Sequence, residues 1–182
     1  KKILTYFYYA LVLCFSALAI DGYIQYFTGT NLSGFKIFSD RVSSFFGDEL
    51  IMGSYLSRLF PLLFALFLIK KKQKYEIYFI GVLFILVDVL IFMSGERSAF
   101  FFLNLSTVFI IILIKEYRKF RLMTFTIALF VIIILSLNTS DLSNRMFKIP
   151  AENMGFTNST KEITIFTPVH DSIIRTAYQM FK

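Results

Sequence analysis

Tryptophan is missing from this chain, and cysteine, histidine and proline nearly so: 1 Cys, 1 His and 3 Pro among 182 residues. A lone Cys14, set in an apolar run, excludes an internal disulfide framework and reads as a small helix- or lipid-facing residue. A lone His170 leaves no His or Cys pair at metal-ligand spacing, so no metal and no cofactor is expected. No Asp-x-Asp occurs, which removes the usual dicarboxylate that holds Mg²⁺ against a nucleotide diphosphate. Charge is scarce too, at 17% of residues, with 12 Asp and Glu against 19 Lys and Arg.

What fills the chain instead is apolar. Hydrophobic residues make up 57%, Phe alone supplies 24, and the mean hydropathy is +0.68. That composition lies outside the range of soluble domains and points to an all-α membrane protein, a polytopic helical bundle. Five apolar runs are long enough to cross a bilayer, at residues 3–20, 50–69, 75–94, 98–114 and 122–137. The first is too long for the core of a signal peptide and lacks a small-residue cleavage site. The chain starts at Lys1 rather than Met and stops within an amphipathic stretch, so it reads as a piece of a longer protein.

The net charge of +7 invites a nucleic-acid reading, but the distribution of the charge opposes it. More than half of the Lys and Arg lie at Lys1-Lys2, in the cluster at residues 70–74 and in the cluster at residues 115–121. Short loops rich in Lys and Arg stay cytoplasmic, so these clusters set topology and attract anionic membrane lipid. With both inside, residues 21–49 form an outer loop, Gly95-Glu96-Arg97 a tight outer turn, and residues 138–182 the start of a long outer segment. The outer loop interleaves Gly22, Gly29, Gly34 and Gly47 with Tyr23, Tyr26, Phe27, Phe35 and Phe38. Two readings are open there: an interfacial aromatic belt, or a platform for sugar rings or lipid tails. Residues 140–161 are polar and read as a surface loop. From Pro168 onward, Ile173, Ile174, Ala177, Tyr178 and Phe181 recur on one helical face, as expected of a helix lying on the outer membrane boundary.

Several residues stand out chemically. Arg97 lies in a turn pinned between two spans, where a fixed guanidinium acts strongly on an anion; the plainer reading is a turn that caps two helices. Arg175, on the polar face of the outer helix, either approaches Arg97 or pairs locally with Asp171. His170 is a candidate base or a solvated helix-start residue. Arg58 and Asp88 lie within spans at similar depth from the outer ends and are expected to pair; alternatively Arg58 reaches an anionic headgroup while Asp88 holds it. Asp48 and Glu49, at the mouth of the second span, are either orienting carboxylates or helix-start acids. Gly53 and Ser57 give that span a face for close packing, and Pro61 frees the Ser57 carbonyl.

Two stretches resemble the O-antigen ligase/polymerase superfamily of bacterial inner-membrane glycan transferases. Leu90-Ile91-Phe92-Met93-Ser94-Gly95-Glu96-Arg97-Ser98-Ala99-Phe100 is similar to the family's short periplasmic turn, a Ser-Gly-x-Arg-small pattern that opens the next span. Ser172-Ile173-Ile174-Arg175-Thr176-Ala177-Tyr178-Gln179-Met180-Phe181-Lys182 is similar to the start of its long periplasmic loop helix. Asp21-Gly22-Tyr23-Ile24-Gln25-Tyr26-Phe27-Thr28-Gly29 is similar to an outer loop of these proteins. The resemblance implies an all-helical, metal-independent membrane transferase, in which Arg97 and Arg175 bind the diphosphate of an undecaprenyl diphosphate-linked glycan donor. The acceptor would be a lipid A-core or glycan hydroxyl at the periplasmic face, in lipopolysaccharide or surface-polysaccharide synthesis. The family's catalytic His, usually followed by Asn, comes later in the long loop, beyond Lys182, so His170 does not inherit that role. Glu96 departs from the family's small or polar residue and is expected to orient Arg97. Two rival functions stay open. A polysaccharide exporter or flippase would place charges along a central path and show repeated halves. A non-catalytic membrane subunit of an envelope-synthesis complex would use the arginines only to anchor loops.

Overall fold

The computed structural model describes residues 2–38, 40–70, 74–153 and 168–181. They are mostly helical, with two isolated bridges, Thr30 to Lys36 and Phe38 to Arg41, as the only strand-like pairings among them. The chain forms two compact units, Lys1–Asn138 and Thr139–Lys182.

The first unit holds α1 (Lys2–Thr28), α2 (Met52–Ile69), α3 (Lys74–Met93), α4 (Arg97–Leu113) and α5 (Arg118–Asn138), with a 3₁₀ turn at Ser44–Phe46. Helices α1, α2, α3 and α5 are long and apolar enough to cross a membrane. Helix α4, the fourth expected span, is an apolar helix of 17 residues. Much of the apolar surface points outward, including Ile3, Leu13, Tyr78, Phe101, Phe130 and Leu137. In water such a surface would be unstable; against lipid it is the expected exterior of a helical bundle.

Helix α3 forms the centre. Ile80, Phe84, Val87, Leu90, Ile91 and Phe92 are all fully buried on it. Its register against α2 is antiparallel: Lys70 meets Glu76, Phe60 and Phe64 meet Phe84, and Gly53 meets Ser94. Helix α1 runs parallel to α3, with Tyr9 donating a hydrogen bond to Glu76 and the Tyr23 hydroxyl donating to the Leu86 carbonyl. Aromatic rings fill the space between the helices. Phe67 stacks on Phe120 at 5.7 Å and meets Tyr117 edge-on at 5.6 Å. Gly81 makes room for that cluster, since a Cβ there would sit 3.2 Å from the Phe120 ring.

These registers put Lys70, Lys74 and the α4–α5 turn at one end of the bundle, and the 29–51 loop with the α3–α4 turn at the other. Lys71, Lys72 and Gln73 of the first basic cluster lie outside the described residues. Two boundaries differ from the sequence reading. Helix α1 runs on to Thr28, so the loop begins at Gly29 and not at residue 21. The reason is packing: Asp21, Gly22 and Gln25 are buried, and Gly22 lies so close to Leu90 that a Cβ would approach it to 2.7 Å. In the second unit, the stretch read as a loop is helical through α6 (Ser140–Ser143), a π-helical turn (Asn144–Lys148) and α7 (Ile149–Asn153). The rest of that stretch, 154–161, lies outside the described residues. Helix α8 (Pro168–Met180) follows, with Ile173, Ile174 and Tyr178 exposed.

Candidate functional site

The α3–α4 turn is fixed from three sides. Gly95 takes φ +66°, the left-handed region that glycine enters without strain. The Ser94 hydroxyl donates to the Ile91 carbonyl at 2.7 Å, and the Glu96 N–H donates back to that hydroxyl at 3.3 Å. From the loop, Arg41 Nε donates to the Ser94 carbonyl at 2.7 Å and the Val42 N–H donates to the Met93 carbonyl at 3.2 Å. Arg41 also donates to the Leu50 carbonyl at 3.0 Å, tying the turn to the entry of α2.

Glu96 crosses to the neighbouring helix. Its carboxylate accepts from the Gly53 N–H at 2.7 Å, the Ser54 N–H at 3.1 Å and the Ser54 hydroxyl at 2.5 Å. These donors begin α2, so Glu96 caps a helix other than its own. The expectation that Glu96 orients Arg97 is corrected: its carboxylate is engaged on α2. Gly53 is required for the arrangement, because a Cβ there would lie 2.2 Å from the Ser94 hydroxyl. Asp48 and Glu49 are exposed and precede α2; the acid that serves the start of this helix comes from Glu96.

Arg97 opens α4 and is exposed. It heads a stripe with Phe101, Leu105, Val108 and Ile112, all exposed, while Ala99, Leu103, Thr107 and Ile110 bury the opposite side. With the Glu96 carboxylate turned to α2, the start of α4 presents a helix N-terminus together with a guanidinium. Such a combination favours an anion.

Deeper in the bundle, Asp88 pairs with Arg121, not with Arg58. Both side chains are fully buried; the guanidinium donates to the two carboxylate oxygens at 2.8 Å and 3.1 Å and to the Thr107 hydroxyl at 2.5 Å. It also lies 4.4 Å above the Phe60 ring. The expected Arg58–Asp88 pair had the right depth but the wrong direction, since Arg58 points away from the bundle and is exposed. Arg121 in turn is no loop anchor. It sits on the inward stripe Arg121, Thr124, Ala128, Ile132, whereas Arg118 donates to the Ile111 and Ile112 carbonyls at the end of α4.

The loop has a buried polar core that the sequence reading missed. Asp21 accepts from the Leu32 N–H at 2.8 Å and the Ser44 hydroxyl at 2.7 Å. Gln25 accepts from the Ser43 and Ser44 N–H groups at 2.9 Å and 2.7 Å. Asn31 donates to the Ser44 carbonyl at 2.7 Å and accepts from the Ser33 and Phe35 N–H groups. The signal was present: a polar pair four residues apart on one face of an apolar helix has a reason to be there.

Arg175 lies on α8 in the second unit and is exposed. His170 belongs to the same helix, and its side chain lies outside the described set. Among the described residues, no three His, Cys, Asp or Glu side chains come together as a metal-ligand set. Compared with protein-family models, with curated proteins and with solved structures, the chain matches none.

Proposed function

We propose that this protein transfers a glycan from an undecaprenyl diphosphate-linked donor to an acceptor hydroxyl, at the periplasmic face of a bacterial inner membrane. The reading rests on the resemblance to O-antigen ligases and polymerases, and one observation supports it above the rest. Arg97 stands exposed at the start of α4, on a turn braced by Arg41 and with the Glu96 carboxylate engaged by α2. A guanidinium carried on that braced turn stabilises charge building on a departing diphosphate. Arg175 is the second proposed diphosphate ligand, from the long outer segment. No residue of this chain is assigned as the base. The apolar stripe below Arg97 offers a bed for the isoprenoid tail.

Full-length protein in its own host, carrying Arg97→Lys, tests the role. Lys keeps the charge and loses the two-pronged geometry, so transferred glycan should fall by about tenfold or more at equal protein level. Normal transfer by that variant would remove Arg97 from diphosphate binding. Unchanged transfer after Arg97→Ala together with Arg175→Ala would move the assignment to a non-catalytic subunit.

A further inference from the structure

Arg58 has no counter-ion among the described residues. It sits on α2, about 9 Å below the outer end of the helix at 1.5 Å per residue. Asp88, the acid at its depth, is committed to Arg121. A guanidinium exposed at this depth on a membrane-crossing helix is costly unless an anion meets it. Helical Cα–Cβ bonds tilt toward the helix N-terminus, here the outer end, so the Arg58 stem leads upward to the headgroup level.

One turn above Arg58 lies Tyr55, which lines a groove of about 370 Å³ together with Cys14, Ala17, Leu18, Phe45 and Phe46. Its walls are apolar apart from Tyr55 Oη and Cys14 Sγ, which satisfy each other at 3.5 Å. The roof is the 3₁₀ turn, and Ser44 within it is bound to Asp21, Gln25 and Asn31. The groove is therefore held open by a hydrogen-bonded frame, so an occupant does not have to order it. Its size falls at the lower end of small-ligand sites. An apolar slot lined by Tyr55, with an exposed cation one turn further along the same helix, matches an anionic amphiphile.

We propose that this groove binds one anionic phospholipid from the leaflet at the loop end. An acyl chain lies against Ala17, Leu18, Phe46 and Tyr55, and Arg58 holds the phosphate. A net negative headgroup is preferred because a zwitterionic one carries its own cation. The site is independent of glycan transfer and stands whether or not Arg97 serves that reaction.

The test uses the full chain in mild detergent, titrated with dioleoyl-phosphatidylglycerol or dioleoyl-phosphatidylcholine, with bound lipid counted by native mass spectrometry. The wild type should hold one phosphatidylglycerol about tenfold more tightly than phosphatidylcholine, the scale of one charge-assisted contact. Arg58→Gln should bring the two lipids to equal affinity, and Ala17→Phe, which fills the slot, should weaken both. Phosphatidylglycerol should also slow alkylation of Cys14 by N-ethylmaleimide in the wild type, a readout that needs no variant to fold. Equal affinities in the wild type, undiminished preference in Arg58→Gln, or unprotected Cys14 would each overturn the proposal. So would retention of a polyprenyl phosphate in preference to phosphatidylglycerol.

Discussion

Asp88 and Arg121 show what a single buried charge demands of its surroundings. The guanidinium reaches Asp88 on α3 and Thr107 on α4, so three helices meet at one side chain. Arg121→Leu should destabilise the protein by about 3–5 kcal/mol, because it leaves the Asp88 carboxylate buried without its partner. Replacing both, as Asp88→Leu with Arg121→Met, should recover most of that loss; thermal unfolding in detergent of the two singles and the double gives the comparison. The need of Asp88 for a partner was legible in the sequence, and the partner was not. Depth can be counted along a helix, and by that count Arg58 qualified. Direction around the helix decides contact, and it could not be read for Arg121 while Arg118 and Lys119, close by in the same basic cluster, looked equivalent. The small-residue stripe through Thr124 and Ala128 was the missed signal.

At the scale of elements, the apolar runs placed the helices well because length and hydropathy suffice for that. They failed where polar residues serve another segment. Asp21, Gly22 and Gln25 read as the start of the outer loop; in the fold they continue α1 and hold the loop. Glu96 behaves likewise, capping α2 across the turn. Glu96→Ala should therefore cost about 1–2 kcal/mol, in the range of a lost helix cap. Hydrogen exchange should locate the damage at Gly53 and Ser54 and not at the start of α4. Faster exchange confined to α4 would contradict the cross-helix cap.

The whole bundle has two unlike ends, one carrying Lys70, Lys74 and the α4–α5 turn, the other the hydrogen-bonded loop. If the basic end is cytoplasmic, as positive loops generally are, the ends should differ in chemical access. In a Cys14→Ser background, Ser33→Cys should react with an impermeant maleimide added outside intact cells, and Lys74→Cys should react only after permeabilisation. Both positions are exposed, so burial does not confuse the result. That the two ends differ in charge was legible in the sequence; the internal order of the loop was not, because its polar partners are scattered over Asp21, Gln25, Asn31 and Ser44. That scatter carries a timetable. Chains leave the ribosome N-terminus first, so α1 is threaded into the bilayer before the loop it will hold has been made. Asp21 and Gln25 precede Ser43 and Ser44, and the partner of Arg41, Ser94, comes later still, at the end of the third helix. The loop's partners thus become available in two instalments, the first on its own helix and the second on a turn translated later.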